Sequence, residues 1–415
     1  MMNVIWFFLL IIALLVGTFT GTIEQVTKGA LDSAGTAVSI ALGLIGIMTL
    51  WLGIMKIANE AGLVSLLARA IKPISRRLFP EIPEDHPAIG AMVLNISANW
   101  LGLSNAATPL GLKAMEELQR INPDKERASN SMIMFLALNT GSITLVPMTV
   151  IAARAVLKSA NPAEIIGATI FASTCATIMG VLAAKFYIYL DQGFRILKQR
   201  VLSAWKFILV GGIALSLIIF LLRSGAAARI GEWLPAEGFR HAVELLSKWA
   251  IPFLLLTIPT YGFIKRVKVY EVFVEGAKEG FQVAVRIIPF LVAILAVIGM
   301  FRASGAMHYF VLLLTPFANL IGMPAEVLPA ALMRPLSGSG SLGIITELMQ
   351  THGPDSFIGR MASTFYGCSE TTFYVVAVYF GAVQIKNTRG AIPVGLMADA
   401  AGILATVFIC RILFL

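Results

Sequence analysis

The sequence predicts an all-α polytopic membrane protein built from two inverted repeats, with about nine transmembrane helices, two re-entrant hairpins and interfacial amphipathic helices. Three observations carry that expectation. The 415 residues are 58% hydrophobic and only 13% charged, where soluble domains carry about 25%, and the mean hydropathy is +0.83. Apolar stretches of roughly 20 residues, the length that crosses a bilayer as helix, recur along the chain. The order of those stretches then occurs twice. Backbone groups in hydrocarbon must be satisfied inside the segment, so helices are the expected spanning element. This composition excludes a soluble enzyme, a disordered chain and a disulfide scaffold.

In chain order, residues 3–19 come first. Their apolar core is like that of a signal peptide, but there is no basic region before it and no small-residue cleavage site before Gly21, so the segment reads as a retained helix. Residues 36–56, 129–153, 164–189, 204–222, 284–301 and 358–382 read as spans, and 391–415 closes the chain. Residues 251–264 form a shorter span that carries Pro252 and Pro259. Two segments differ in kind. Residues 88–112 hold no charge, yet their middle reads NISANWLGLSNAATPLG, and residues 327–346 contain LMRPLSGSGSLG. Gly, Pro and small polar residues at bilayer depth point to an interrupted helix or re-entrant hairpin lining a cavity.

Two further segments read as helices lying in the headgroup plane. Tyr270, Phe273, Val274, Ala277, Phe281 and Ala284 share one helical face, opposite Lys268, Glu271, Glu275, Lys278 and Gln282. Leu63, Leu66, Leu67, Ala70, Ile74 and Leu78 do the same opposite Arg69, Lys72 and Arg76, with Pro73 as a kink.

The internal repeat pairs Gly17 with Gly262, Gly29 with Gly276, Gly62 with Gly305, Pro73 with Pro316, Ser142 with Glu370 and Ser173 with Asp399. The corresponding division is a first repeat at 1–200, a linker helix and amphipathic segment at 201–250, and a second repeat at 251–415. If the two polar-broken segments do not cross, parity turns the second copy upside down. With the N-terminus cytoplasmic, 21 of the 32 basic residues then collect on the inner side, as the positive-inside rule requires. That rule also accounts for the net charge of +9, since no basic run is interleaved with aromatics in the manner of a nucleic-acid face. Cys175, Cys368 and Cys410 are widely spaced in apolar context and have no metal-type spacing.

Polar groups deep in lipid are costly and mark pathways or partners. The first copy offers Asn95, Ser97, Asn99, Ser104, Asn105 and Thr108, then Asn139, Thr140, Ser142 and Thr144. The second offers Arg334, Ser337, Ser339, Ser341, Glu370, Thr371, Thr372 and Asp399. Broken helices in transporters present amides to anions and unwound carbonyls to cations, and Gly338, Gly340 and Gly343 let backbone approach a ligand closely. Any single Ser or Thr serves helix packing equally well; the charged trio of Arg334, Glu370 and Asp399 is harder to explain so. Arg334 either pairs with Glu370 or binds an anionic solute, and Asp399 suits a proton or cation site. No nucleophile elbow or phosphate loop is present, the four histidines are scattered, and neither catalysis, a metal centre nor a cofactor is expected.

Long stretches resemble known families. WLGIMKIANEAGL, LFPEIPEDHPAIGAMVLNISANWLGLSNAATPLGLKAMEEL and MFLALNTGSITLVPMTVIAAR resemble the spore maturation protein A family. VYEVFVEGAKEGFQVAVRIIPFLV, LMRPLSGSGSLGIITELM, HGPDSFIGRMASTFYGCSETTFYVVAVYFGAV and GLMADAAGIL resemble the spore maturation protein B family. The chain looks like a fusion of the two. The resemblance implies a nucleoside-recognition, or Gate, domain in each half, as in concentrative nucleoside transporters and bacterial ferrous-iron transporters. It implies a binding region at 95–108, 139–144, 334–341 and 369–372, which adds Ser369 to the candidates.

The expected function is that of a bacterial inner-membrane, permease-like protein. It would hold a small polar or anionic solute between the hairpins, with Glu370 or Asp399 coupling to a cation. Expected partners are lipid, the solute and a second copy in a homo-oligomer, with no nucleic acid. The alternatives are a non-transporting scaffold for envelope or spore-maturation proteins, and an iron path through Cys368.

Overall fold

The computed structural model describes residues 2–83, 86–101, 104–194 and 236–415. The expected 204–222 span and most of the 201–250 linker lie outside the described residues, as do the side chains of Ser104 and Asn105. Apart from one isolated bridge between Arg127 and Asn387, the regular structure of the described residues is helical. The first half holds α1 (Met2–Thr20), α2 (Ile23–Glu60), α3 (Leu63–Leu78), α4 (Pro87–Trp100), α5 (Ser104–Ile121), α6 (Asn130–Thr140), α7 (Met148–Val156) and α8 (Ile166–Phe194). The second holds α9 (Ala236–Ile264), α10 (Val269–Ala303), α11 (Ala306–Ile321), a 3-10 turn Ala325–Val327 leading into α12 (Leu328–Met333), α13 (Gly338–His352), α14 (Phe357–Cys368), α15 (Thr372–Ala382) and α16 (Ala391–Phe414).

The repeat is written in the local signals that start and stop these helices. Gly62 and Gly305 both adopt the left-handed region, with φ of 81° and 82°, and turn the chain from α2 into α3 and from α10 into α11. Only glycine enters that region without a Cβ penalty. Pro73 and Pro316 recur inside the helices that follow. Ser129 and Ser356 cap α6 and α14, their hydroxyls accepting from Met132 N at 3.2 Å and Gly359 N at 3.0 Å. Such caps satisfy one of the four amides that every helix start leaves unpaired.

Among the described residues, four helical segments are long and apolar enough to cross a bilayer: Ile23–Glu60, Ile166–Asp191, Val269–Ala303 and Ala391–Phe414. They form two equivalent pairs, and each pair packs antiparallel. Along α2 and α10, Gly29 meets Gly299 while Gly53 and Leu52 meet Gly276. Along α8 and α16, Ala176 meets Gly402, Gly180 meets Ala398 and Tyr187 meets Gly390. Equivalent helices that run antiparallel are related by an axis perpendicular to their length. Large apolar side chains stand outward around this bundle, among them Phe8, Leu42, Phe171, Leu182, Phe253 and Phe290, all more than a third exposed. A band of that extent is at home in acyl chains rather than water.

The structure corrects three sequence expectations. The amphipathic segment around 270–284 is not a separate in-plane helix. It is continuous with the span that follows, because Gly276 and Gly280 let α10 lie flat on Lys56, Leu52 and Met48 of α2. Residues 129–153 and 358–382 are not continuous helices. The first breaks between Thr140 and Met148, where Gly141 sits against Ala176 and Pro147 has no N–H to continue the ladder. The second breaks at Ser369–Thr371, whose backbone is drawn into bonds with neighbouring helices.

Candidate functional site

Each half thus contributes two interrupted helices. In the first half, α4 and α5 fold back on one another, with Asn95 Nδ2 donating to Ala107 O at 2.7 Å across the pair. In the second, α12 ends at Arg334 and α13 begins at Gly338, capped by the Ser337 hydroxyl, which accepts from Gly340 N at 3.0 Å. Backbone bonds tie each break to its neighbour in the same half: Leu145 N donates to Trp100 O at 3.2 Å, and Phe373 N donates to Pro335 O at 3.1 Å. These two bonds occupy equivalent positions in the repeat. A third bond crosses between halves, from Glu370 N to Thr140 O at 2.7 Å.

All four breaks border one chamber of about 700 Å³. The starts of α7, α13 and α15 and the ends of α4, α6 and α14 reach its wall. Among the sequence candidates, Asn99, Thr108, Asn139, Thr144, Arg334, Ser337, Ser339, Glu370 and Thr371 line it. Arg334 is 4% exposed. Its guanidinium donates to Thr371 Oγ1 at 3.2 Å and to the Ser369 carbonyl, lies over the Tyr366 ring at 4.7 Å and approaches Glu370 Oε2 at 3.8 Å. Glu370 thus stands beside Arg334, with its side chain half exposed to the chamber. Its equivalent in the first half is neutral: Asn99 Nδ2 donates to Asn139 Oδ1 at 2.9 Å. The chamber is polar on both sides and charged on one.

The remaining candidates stand behind this wall. Asn95 is fully buried between Ala107 O and the Tyr379 hydroxyl. Ser97 turns back onto Val93 O at 2.8 Å. Thr140, Ser142, Ser341, Ser369, Thr372 and Asp399 are buried, and Thr372 Oγ1 donates to Asp399 Oδ2 at 2.6 Å. Ser173, the repeat equivalent of Asp399, bonds to the break of its own half, accepting from Thr144 N at 3.2 Å.

Sequence reasoning missed two aromatic residues. Tyr366 underlies Arg334. Tyr379 reaches from the second half into the first, donating to Asn139 Oδ1 at 3.2 Å, accepting from Asn95 Nδ2 at 3.2 Å and stacking on Phe135 at 5.9 Å. In an apolar helix each looks like an ordinary core aromatic. Their position within a few residues of a polar break was the available signal. Among the described residues no group of three or more His, Cys, Asp and Glu side chains could hold a metal ion.

Comparison with known proteins fits this geometry. The chain is 42% identical to spore maturation protein A of Bacillus subtilis (strain 168) over 189 residues, 46% of this chain and 96% of that protein. It is 50% identical to spore maturation protein B of the same organism over 172 residues, 41% of this chain and 97% of that protein. No solved structure matches it. The family described as nucleoside recognition, Gate, matches twice, at residues 41–157 and 284–386, and these two stretches contain all four breaks. The chain belongs to the nucleoside recognition (Gate) family of multi-pass membrane proteins, with one Gate region in each half.

Proposed function

We propose that this protein is a permease-like secondary transporter that binds a small polar or anionic solute in the chamber between its two halves. The observation that carries the reading is the convergence of four helix breaks, two from each Gate region, on one cavity. Unwound backbone supplies amides and carbonyls to a solute without the cost of exposing them to lipid. Arg334 contributes fixed positive charge, Asn99, Asn139, Ser337, Ser339 and Thr371 set orientation, and Glu370 supplies an acceptor facing the solute. Cation coupling runs through Glu370 or Asp399.

In this reading the breaks of α4–α5 and α12–α13 are the tips of hairpins entering from opposite leaflets of the inner membrane, and the N-terminus is cytoplasmic. Two observations support it. The long equivalent helices run antiparallel. The loops that carry Lys125, Arg127, Lys386 and Arg389 touch one another, through Lys386 N to Glu126 O at 3.0 Å and Ala128 N to Asn387 O at 2.9 Å, which gathers basic charge on one side.

The test is uptake by proteoliposomes holding the purified protein, with nucleosides, dicarboxylates and metal ions as labelled solutes. One class is expected to accumulate above protein-free vesicles. Arg334→Ala should weaken its binding roughly 10- to 100-fold, the equivalent of a charge-assisted hydrogen bond of about 1.5–3 kcal/mol. Background uptake and binding for every class would overturn the reading.

A further inference from the structure

Behind the chamber, where the breaks of the two halves cross, lies a group of oxygens that solute binding does not use. Asp399 on α16 is 1% exposed. The nearby cation, Arg334, is committed to Glu370 and the 369–371 backbone. Asp399 Oδ2 accepts from Thr372 Oγ1 at 2.6 Å, but Oδ1 has no hydrogen-bond partner. Ser369 Oγ lies alongside the same carboxylate without hydrogen-bond geometry. Thr140 Oγ1 is also without a partner, and Thr140 and Ser369 are 0% and 2% exposed. Gly395, one helical turn before Asp399 on the same face, draws the set together. A Cβ there would lie 2.9 Å from Thr372 Oγ1 and 3.4 Å from Thr140 Oγ1.

We propose that Asp399, Ser369, Thr372 and Thr140 form a binding site for a monovalent cation of sodium size. A buried carboxylate with an unpaired oxygen is costly unless charge or hydrogen bonds compensate it. Oxygens that surround a hard cation stand about 2.3–2.6 Å from it, and so too far from one another to hydrogen-bond. Asp399 Oδ1 and Thr140 Oγ1, buried and unpartnered beside the Thr372–Asp399 bond, are free to act as such ligands. A proton on Oδ1 is the competing occupant, and it would give no sodium response. The charged and titratable groups facing the site are Arg334, Glu370 and Cys368. Arg334 faces Glu370 at 3.8 Å, so Asp399 is the carboxylate within the site and a divalent ion would be left uncompensated. Among the described residues, the equivalent place in the first half holds no carboxylate. The residue there is Ser173, a neutral group that donates to Thr169 O at 2.8 Å and accepts from Thr144 N.

This deepens the coupling part of the proposed function and relies on it only for the consequence. The Glu370 N to Thr140 O bond fixes the cation site's backbone directly behind the chamber wall, so occupancy sets how the two breaks meet. The binding itself is measured without solute. Thermal unfolding of the full chain in detergent is followed while sodium chloride replaces choline chloride at constant ionic strength and pH. Wild-type protein should show a saturable rise in unfolding midpoint with sodium. Asp399→Asn should show none, while Ser369→Ala and Thr140→Val should shift the half-saturating sodium concentration upward severalfold. The two hydroxyl variants keep the test decisive should Asp399→Asn fail to fold. A flat sodium response in the wild type, or wild-type sodium response in the hydroxyl variants, would overturn the cation site. Either result would leave solute uptake through the chamber standing, and failed uptake beside a sodium response would leave this site standing.

Discussion

Tyr379 links the two halves at the level of single atoms. Its hydroxyl is shared by Asn95 and Asn139, and Gly111 on α5 leaves the space in which its ring sits. Tyr379→Phe strips a buried partner from both asparagines, and an unsatisfied buried polar group costs about 1–3 kcal/mol. The thermal midpoint should fall, with the apolar stack on Phe135 retained. Gly111→Leu should be worse, because the new side chain would occupy the position of the tyrosine ring; equal midpoints for Gly111→Leu and wild type would contradict the packing described. At this scale Asn95, Asn99, Asn139, Arg334 and Glu370 are legible in the sequence, since charge and amide groups have no ordinary place in an apolar span. Tyr366 and Tyr379 are not, because an aromatic ring suits core packing and its hydroxyl partner lies far away in the chain.

Among elements, the connecting loops form two ion-pair clusters that the internal two-fold exchanges. One joins the α7–α8 loop to the α13–α14 loop. There Arg154, fully buried, donates to Pro354 O at 2.6 Å, Asp355 Oδ1 at 3.0 Å and Glu164, while Arg360 also binds Glu164 at 2.9 Å. The other joins the α5–α6 loop to the α15–α16 loop, where Arg127 and Arg389 share Asp191. Burial by itself would raise the Asp355 carboxyl, but bonds from the Ser159 hydroxyl and Ala160 N–H and the charge of Arg154 together hold it below the ordinary carboxylate value. A depressed folded-state value means the stabilisation is complete above the unfolded carboxylate range and disappears as pH falls through the folded value. The midpoint difference between wild type and Asp355→Asn should therefore be constant above about pH 5 and shrink below about pH 4; a difference that grows in acid would contradict this. Arg154→Met should cost roughly 3–5 kcal/mol, since it leaves charges in the cluster unpaired. The breaks in α6–α7 and α14–α15 were only half legible. Their polar residues were visible, but GSITLVP and SETT lie in runs apolar enough to pass as continuous spans.

For the whole molecule, the repeat was the most legible feature, because it rests on helix punctuation such as Gly62, Gly305, Pro73 and Pro316 rather than on propensity. The same pairing shows where the halves differ, but not which partners the differing residues meet. Asn99 and Arg334 occupy equivalent places, as do Ser173 and Asp399, so the second half carries the charge while the first supplies neutral partners. Function in this account arises from that difference within a symmetric frame. Inversion of the halves across the membrane is its central claim, and labelling of single cysteines by a membrane-impermeant maleimide, in protein whose three native cysteines are replaced, tests it most directly. Lys125→Cys and Lys386→Cys, in loops that touch, should react only from the cytoplasmic side, and Lys158→Cys and His352→Cys only from the outer side. Labelling of Lys125→Cys and Lys386→Cys from opposite sides, or of all four from one side, would contradict the account.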